Sequence, residues 1–270
     1  MPKLSIIIVH YRTPELLRLC LSTLKENVGI SDYEVIVVDS AANRKSRDTV
    51  AMFEGAFPKL TYAPYTHNTG FPWGVNRGLE YAKGEHVLIL NYDILVRPDA
   101  ISAMLEYMER HPDVGLLGPR LLHFNGEHQQ SYFRFYTPWT IILRRTFLGR
   151  LSLFKSATDY FLMRDTDPNL IQTPDWIMGS ALMVSRKALN DVGSMDERFF
   201  MYFEDVDWAR RFWHNGYKVV YLPGAEMYHY LGRASKSALG VLDALFNRKT
   251  HWHIASAIKF FLKWRNLVHD

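Results

Sequence analysis

Three short stretches of the sequence carry residue types that could do chemistry. The first is Asn91-Tyr92-Asp93, which ends the apolar run Val87 to Leu90. Two oxygen-bearing side chains there leave the C-terminal end of a buried strand, where ligands of open α/β sheets bind. A carboxylate in that place can hold a hard divalent cation, and the cation a diphosphate. Turn formation ahead of Pro98 explains the same residues equally well. The second stretch is Glu204-Asp205-Val206-Asp207, directly after Phe199 to Phe203. Acids opening a helix are stabilised by its dipole. Beside so much apolar surface, a carboxyl can also rise in pKa toward the range of a general base. The third is His229, within Tyr228-His229-Tyr230. It reads as a packed core histidine or as a second cation ligand beside Asp93.

Two further places invite a ligand. Asp39 ends the run Tyr33 to Val38 and could hydrogen-bond a ribose or a base, though a turn cap is the simpler reading. His67 to Gly78 holds Asn68, Gly70, Phe71, Gly74 and Asn76, a glycine-rich loop opening a helix where a diphosphate could sit. It lacks the Gly-Lys-Ser/Thr of a Walker loop. Its glycines are four apart, unlike a dinucleotide fingerprint.

The elements that must position these residues alternate. Strands are expected at Leu4 to Val9, Tyr33 to Val38, Leu60 to Ala63 and Val87 to Leu90. Helices are expected after Thr13-Pro14, with Thr13 as cap, over Ser46 to Phe57, and from the glycine-rich loop to Lys83. This pattern predicts a parallel, doubly wound sheet. Beyond it, a helix over Asp99 to Arg110 and strands at Val114 to Pro119 and Ala181 to Val184 are expected. So are a helix from Glu204 to Asn215 and separate extended pieces at Tyr217 to Leu222 and Glu226 to Tyr230. The pattern loosens between Leu121 and Pro174. Leu239 to Val268 reads as helical with a break near Arg248 to Thr250, its apolar positions interspersed with Arg248, Lys249, Lys259, Lys263 and Arg265. An amphipathic helix on an anionic bilayer and a helical pair packed on the domain or on another subunit fit equally.

Composition narrows the class. The 270 residues are 48% apolar, enough for a sizeable core. A net charge of +4 is too weak to argue for nucleic acid. The lone Cys20 excludes an internal disulfide and fits a reducing compartment. No signal peptide is read at the N-terminus, and no apolar run reaches the roughly 20 residues of a spanning helix. The expected location is the cytoplasm, with the cytoplasmic face of the inner membrane left open.

Taken together, Ser5 to Leu21, Val35 to Ser40, His67 to Gly78, Val87 to Pro98, Pro174 to Val184 and Gly193 to Gly232 resemble glycosyltransferase family 2. The likeness is to its bacterial rhamnosyltransferase-like branch. The resemblance implies an α/β GT-A fold: a mostly parallel nucleotide-binding sheet flanked by helices, with a helical C-terminal extension. It divides the chain into a domain over 1–238, nucleotide-binding to 120 and acceptor-binding beyond, and a segment over 239–270. It places His10, Tyr11, Asp39 and Asn91 in the nucleotide pocket, and Asn68, Gly70, Phe71, Gly74 and Asn76 beside nucleotide and sugar. Asp93 and His229 become ligands of Mn²⁺ or Mg²⁺, and Trp176 and Gly179 fall on the acceptor side. Asp205, next to Glu204, becomes the base. Ser40, Pro72-Trp73, Tyr92 and Asn91 depart from the family's usual residues, and Asn91 leaves the metal motif a single carboxylate.

The implied activity is inverting transfer of a sugar to a hydroxyl of a saccharide or polyprenyl-diphosphate-linked saccharide in cell-surface polysaccharide synthesis. The donor is expected to be dTDP-L-rhamnose, ahead of a UDP-sugar. The competing reading is a non-catalytic binding subunit of the same fold. A nucleotidyltransferase would want a basic, glycine-rich loop after the first strand, which His10-Tyr11-Arg12-Thr13 does not offer.

Overall fold

The computed structural model describes residues 1–68, 70–145, 151–230 and 248–265. The expected helical stretch from Leu239 up to Arg248, the end of that stretch beyond 265, and Thr69 lie outside them.

Four strands, Leu4–His10 (β1), Tyr33–Asp39 (β2), Leu60–Pro64 (β3) and His86–Asn91 (β4), form a wholly parallel half-sheet in the order β3-β2-β1-β4. Both faces of it are covered, and the alternation of the strands shows how. Ile6, Ile8, Val35, Val37, Leu88 and Leu90 join a cluster with Leu17, Leu21 and Leu24 of helix Pro14–Asn27 (α1). Ile7, Val9, Ile36, Val38, Val87 and Ile89 join another with Val75 of helix Phe71–Tyr81 (α3). Both sides of a period-two strand are apolar because each has its own layer of helices. Each such side chain contributes about 1.5–3 kcal/mol of burial. Helix Arg44–Ala51 (α2), shorter than expected, starts from a capping box between Asn43 and Ser46. Gly55 at φ +75 lies in the turns that follow its end.

The other half of the sheet is mixed. After Ile94–Val96 (β5) and helix Ala100–Arg110 (α4) come Val114–Leu122 (β6), His128–Gln129 (β7), Tyr132–Phe133 (β8), helices Pro138–Arg145 (α5) and Lys155–Phe161 (α6), and Trp176–Ile177 (β9). Ala181–Ser185 (β10) runs antiparallel to both β4 and β6, so it joins the two halves. Helices Arg186–Val192 (α7) and Glu204–His214 (α8) precede Lys218–His229 (β11). β11 was expected as two pieces. It is one strand parallel to β6, with a register shift between Leu222 and Glu226 at Pro223-Gly224.

Helix Arg248–Trp264 (α9) lies within the expected helical stretch. Its inner face is not presented to lipid or to another subunit. Ala257, Phe260 and Trp264 belong to the same core cluster as Phe199, Phe203, Trp208 and Phe212.

Thr13 is a second local correction. It precedes α1, with Pro14 at the first position, but its side chain makes no cap bond. Its backbone N–H donates to His10 Nε2 at 3.1 Å instead.

Candidate active site

Parallel strands β1, β2 and β4 bring His10, Asp39 and Asn91 to one edge of the sheet. His10 lies in register with Asp39, and Val9 with Asn91. His10 Nδ1 is 2.9 Å from Asp39 Oδ1, and both side chains are fully buried. The Thr13 N–H needs a lone pair at Nε2, so His10 carries its proton on Nδ1 and donates it to Asp39. The Tyr62 hydroxyl donates to Asp39 Oδ2 at 2.8 Å, and the Ala41 N–H to Oδ1 at 3.2 Å. Burial would raise the Asp39 carboxyl, but the bonds from His10, Ser46 and Tyr62 outweigh it and hold it below the ordinary range. Asp39 is thus a fixed anion whose oxygens are engaged by its own neighbours. Tyr11 is half-buried beside it, under the Arg12 guanidinium at 4.9 Å. Tyr92 meets the His10 ring edge-on at 5.2 Å.

The glycine-rich loop divides into two kinds of residue. Asn68 Oδ1 accepts from the Gly70 N–H at 2.9 Å, closing the turn into α3. Gly70 has φ +108, and a Cβ there would stand 2.3 Å from the Phe200 carbonyl oxygen. The Phe71 N–H donates to that same oxygen at 3.1 Å. These residues lie against the segment that leads to Glu204. Gly74 and Gly78 do something else. Cβ atoms on them would fall 2.8 Å from Val9 Cγ1 and 2.3 Å from Ile7 Cγ2, so their four-residue spacing is one helical face pressed onto β1. Asn76 is engaged by the Met195 backbone and by Glu197, and it clamps that loop.

The acidic stretch opens α8 after two consecutive left-handed residues, Tyr202 at φ +69 and Phe203 at φ +68. Non-glycine residues there cost about 1–2 kcal/mol each, a strain that gathers at functional sites. Asp205 Oδ2 accepts from the Gly179 N–H at 3.0 Å, and Oδ1 from the Val206 N–H at 2.9 Å. Burial nonetheless pushes the Asp205 carboxyl up to about 6. Glu204 is buried with Oε2 lacking any hydrogen-bond partner, and burial plus the Asp205 charge push it well up. Asp207 is different. Arg211, Lys263 and the Trp264 indole N–H all hold its fully buried carboxylate, so it fastens α9 to α8.

Asp93 and His229 face each other with Oδ1 and Nε2 3.6 Å apart. That oxygen is buried without a hydrogen-bond partner. Burial pushes the Asp93 carboxyl up to about 6 and the His229 imidazole down to about 4, which leaves the ring neutral. A cation held at about 2.1 Å by each ligand bridges atoms no more than about 4.2 Å apart, so this pair fits one. Among the described residues no group of three or more His, Cys, Asp or Glu could hold a metal. The remaining ligands would come from a diphosphate and water, as suits Mg²⁺ or Mn²⁺.

The Met178-Gly179-Ser180 turn joins these parts. The Ser180 carbonyl accepts from the Asn91 N–H at 2.8 Å, Gly179 holds Asp205, and Met178 Sδ lies 3.8 Å from Gln129 Nε2. Gln129 in turn holds His229. A Cβ on Gly179 would sit 3.3 Å from the Phe71 ring. Trp176, expected on the acceptor side, is buried. It is 6% exposed, stacks on Phe133 at 4.5 Å and donates to the Arg134 carbonyl. Sequence reasoning missed Gln129, Tyr62 and the contact of the Phe200 carbonyl with the Gly70 turn. Gln129 sits where periodicity is lost, and the other two act through partners distant in the chain.

Comparison with known proteins shows the family and the fold. Residues 5–170 match the family model Glycosyl transferase family 2. The chain is 30% identical over 189 residues to an N-acetylglucosaminyl-diphospho-decaprenol L-rhamnosyltransferase of Mycobacterium tuberculosis, covering 64% of this chain and 60% of that protein. It is 25% identical over 240 residues to the dTDP-rhamnosyl transferase RfbF of Shigella flexneri, covering 87% and 71%. It therefore spans about 60% of the length of the first of these relatives. Among solved structures, the mannosyltransferase PcManGT from Pyrobaculum calidifontis in complex with GDP-Man and Mn²⁺ superposes with a TM-score of 0.61. That match is at 19% identity, over 100% of this chain and 65% of that one. This likeness is one of fold.

Proposed function

The chain belongs to glycosyltransferase family 2, and from that premise we propose that it is an inverting, cation-dependent rhamnosyltransferase. The proposed donor is dTDP-L-rhamnose, and the proposed acceptor a hydroxyl of a saccharide carried on a polyprenyl diphosphate. The names of its rhamnosyltransferase relatives support both choices. The single observation that carries the chemistry is the Met178 to Ser180 turn, which ties Asp205 on one side to Asn91 and His229 on the other.

Asp205 takes the proton from the acceptor hydroxyl. Its two backbone donors fix the carboxylate, while burial keeps it basic enough to work near neutral pH. The acceptor oxygen bonds to the anomeric carbon as the bond to the diphosphate oxygen breaks. A single displacement of this kind inverts the carbon and needs no covalent nucleophile. Asp93 and His229 are the residues that would hold a divalent cation, which when bound supplies positive charge for the departing diphosphate. Phe71 and the Gly70 turn close the site from the α3 side, backed by Phe200.

A contact with an anionic bilayer belongs to the same proposal. α9 leaves Ile254, Ile258 and Leu262 outward, 41%, 56% and 57% exposed. Residues 248–265 hold five Lys or Arg and no acid, and with Lys263 taken up by Asp196 and Asp207 the charge of the other four suits anionic lipid. Among the described residues no helix is long and apolar enough to cross a membrane. The proposed location is the cytoplasmic membrane face, where such acceptors are carried.

The test is incubation with dTDP-L-rhamnose, Mg²⁺ or Mn²⁺ and a lipid-linked N-acetylglucosamine acceptor. Released dTDP is measured, and the product's anomeric configuration is read by NMR. The proposal expects a rhamnosylated product of inverted configuration. Retention, or turnover only with a UDP-sugar, overturns it.

A further inference from the structure

Gln129 on β7 is 3% exposed, and its amide lies flat against one edge of the His229 ring. Both amide atoms are within reach of Nδ1, Nε2 at 3.0 Å and Oε1 at 3.2 Å. On the opposite edge, His229 Nε2 faces the partnerless Asp93 Oδ1 at 3.6 Å. A neutral imidazole has one proton, so the amide decides what Asp93 meets. When Gln129 donates its N–H, Nδ1 accepts, and the proton on Nε2 points at Asp93. When Gln129 accepts through Oε1, Nδ1 carries the proton and Nε2 turns a lone pair toward the same side.

We infer that Gln129 is the positioning residue of the cation site, selecting the His229 tautomer by the orientation of its amide. In the acceptor orientation, Nε2 and the Asp93 carboxylate together present two electron pairs to a divalent cation. In the donor orientation, the Nε2 proton faces the otherwise unpartnered Asp93 oxygen and closes the site. The change moves one proton from Nε2 to Nδ1 through solvent and turns the amide over, with no change in net charge. A carboxamide suits this role because one side chain offers both a donor and an acceptor. The Met178 sulfur, 3.8 Å from Gln129 Nε2, is a weak acceptor for the amide hydrogens and links the amide to the turn that holds Asp205.

The inference rests on the cation-dependent reading above, and the experiment separates the two. Mn²⁺ binding is measured by the loss of its free electron-paramagnetic-resonance signal, with dTDP present. The proteins are the wild type and the Gln129→Glu, Gln129→Met, His229→Ala and Gln129→Met/His229→Ala variants. Nitrogen-15 histidine spectra with and without Mg²⁺ and dTDP, assigned by the loss of one signal in His229→Ala, report the tautomer directly.

Once ionised, at pH 8, the carboxylate of Gln129→Glu can only accept, so it should bind Mn²⁺ at least as tightly as the wild type. Gln129→Met should bind about 10–100-fold more weakly, the usual effect of losing a partner of a metal-bound histidine. The double variant should bind no worse than His229→Ala alone, because Gln129 acts through that ring. The His229 proton should sit on Nδ1 in the loaded wild type. Wild-type affinity in Gln129→Met, additive losses in the double variant, weakened binding in Gln129→Glu, or a loaded His229 with its proton on Nε2 each overturn this inference alone. A wild type that holds no Mn²⁺ with dTDP or UDP overturns the cation-dependent reading and this inference with it.

Discussion

The backbone N–H of Gly179 donates to Asp205 Oδ2 across 3.0 Å. This bond ties the turn before β10 to the first turn of α8. The same turn accepts from the Asn91 backbone through Ser180 and touches Gln129 through Met178. A shift of these three residues would therefore reach the proposed base and the proposed cation ligands at once. Asp205 is fixed by backbone donors, not by another charge, so it can change protonation without losing its place.

Asp205→Asn should lower kcat by about 10²–10⁴-fold, the usual contribution of a general base. Nucleotide affinity should stay within about twofold, since the role proposed for this acid is toward the acceptor hydroxyl. Because the base acts ionised, kcat in the wild type should fall as pH drops through about 6. Steady-state rates from pH 5 to 8, with binding measured alongside, check both points. A flat wild-type profile would remove Asp205 from the role.

The acidic pair should also mark stability. Both carboxyls are raised in the folded protein, so it keeps protons that the unfolded chain has already lost. The cost is absent below the ordinary carboxylate range and grows as pH rises through about 6 for Asp205. Glu204→Gln should therefore melt above the wild type at pH 8, with the difference gone near pH 4. The gain is the avoided cost of ionising a buried carboxyl, about 1.4 kcal/mol for each unit by which its pKa is raised. Thermal denaturation at the two pH values decides it, and an equal gain at both would point to packing instead.

Much of this was legible in the sequence because it rests on local pattern. The runs at Leu4, Tyr33 and Val87 are apolar on both sides, which requires a doubly covered sheet, and that is what β1, β2 and β4 form. The places of Asn91 at a strand end, Asp93 just beyond it and Asp205 in the first turn of a helix could be read from their neighbours. What could not be read was the use of each side chain. Asp39 and Asn76 look like ligand contacts by type, yet partners 23 and 119 residues away engage them. Gly74 and Gly78 read as part of a loop, but they pack a helix on a strand. Gln129 joins His229 across 100 residues, and no local pattern announces such a pair.

Gly70→Ala should destabilise the protein by about 1–3 kcal/mol, since its φ of +108 and the Phe200 carbonyl oxygen both oppose a side chain. The donor KM should rise as well, because the turn it opens carries Phe71. Urea denaturation and donor saturation curves test these together. Unchanged stability would show that the turn relaxes at no cost.

Ile258→Glu should weaken partition onto vesicles containing phosphatidylglycerol by about 10–100-fold, matching the roughly 1.5–3 kcal/mol of one buried apolar side chain. Wild-type binding should fall with added salt and be weak on phosphatidylcholine alone. Vesicle flotation measures both. Equal binding by the variant would take the outer face of α9 out of membrane contact.

Asp93 is proposed to hold a divalent cation against a nucleoside diphosphate. Calorimetric titration of dTDP and UDP, with and without Mn²⁺, on wild type and Asp93→Ala tests it most directly. Binding of dTDP should depend on Mn²⁺ and disappear in the variant. Binding of equal strength without the cation, or unchanged in Asp93→Ala, would contradict it.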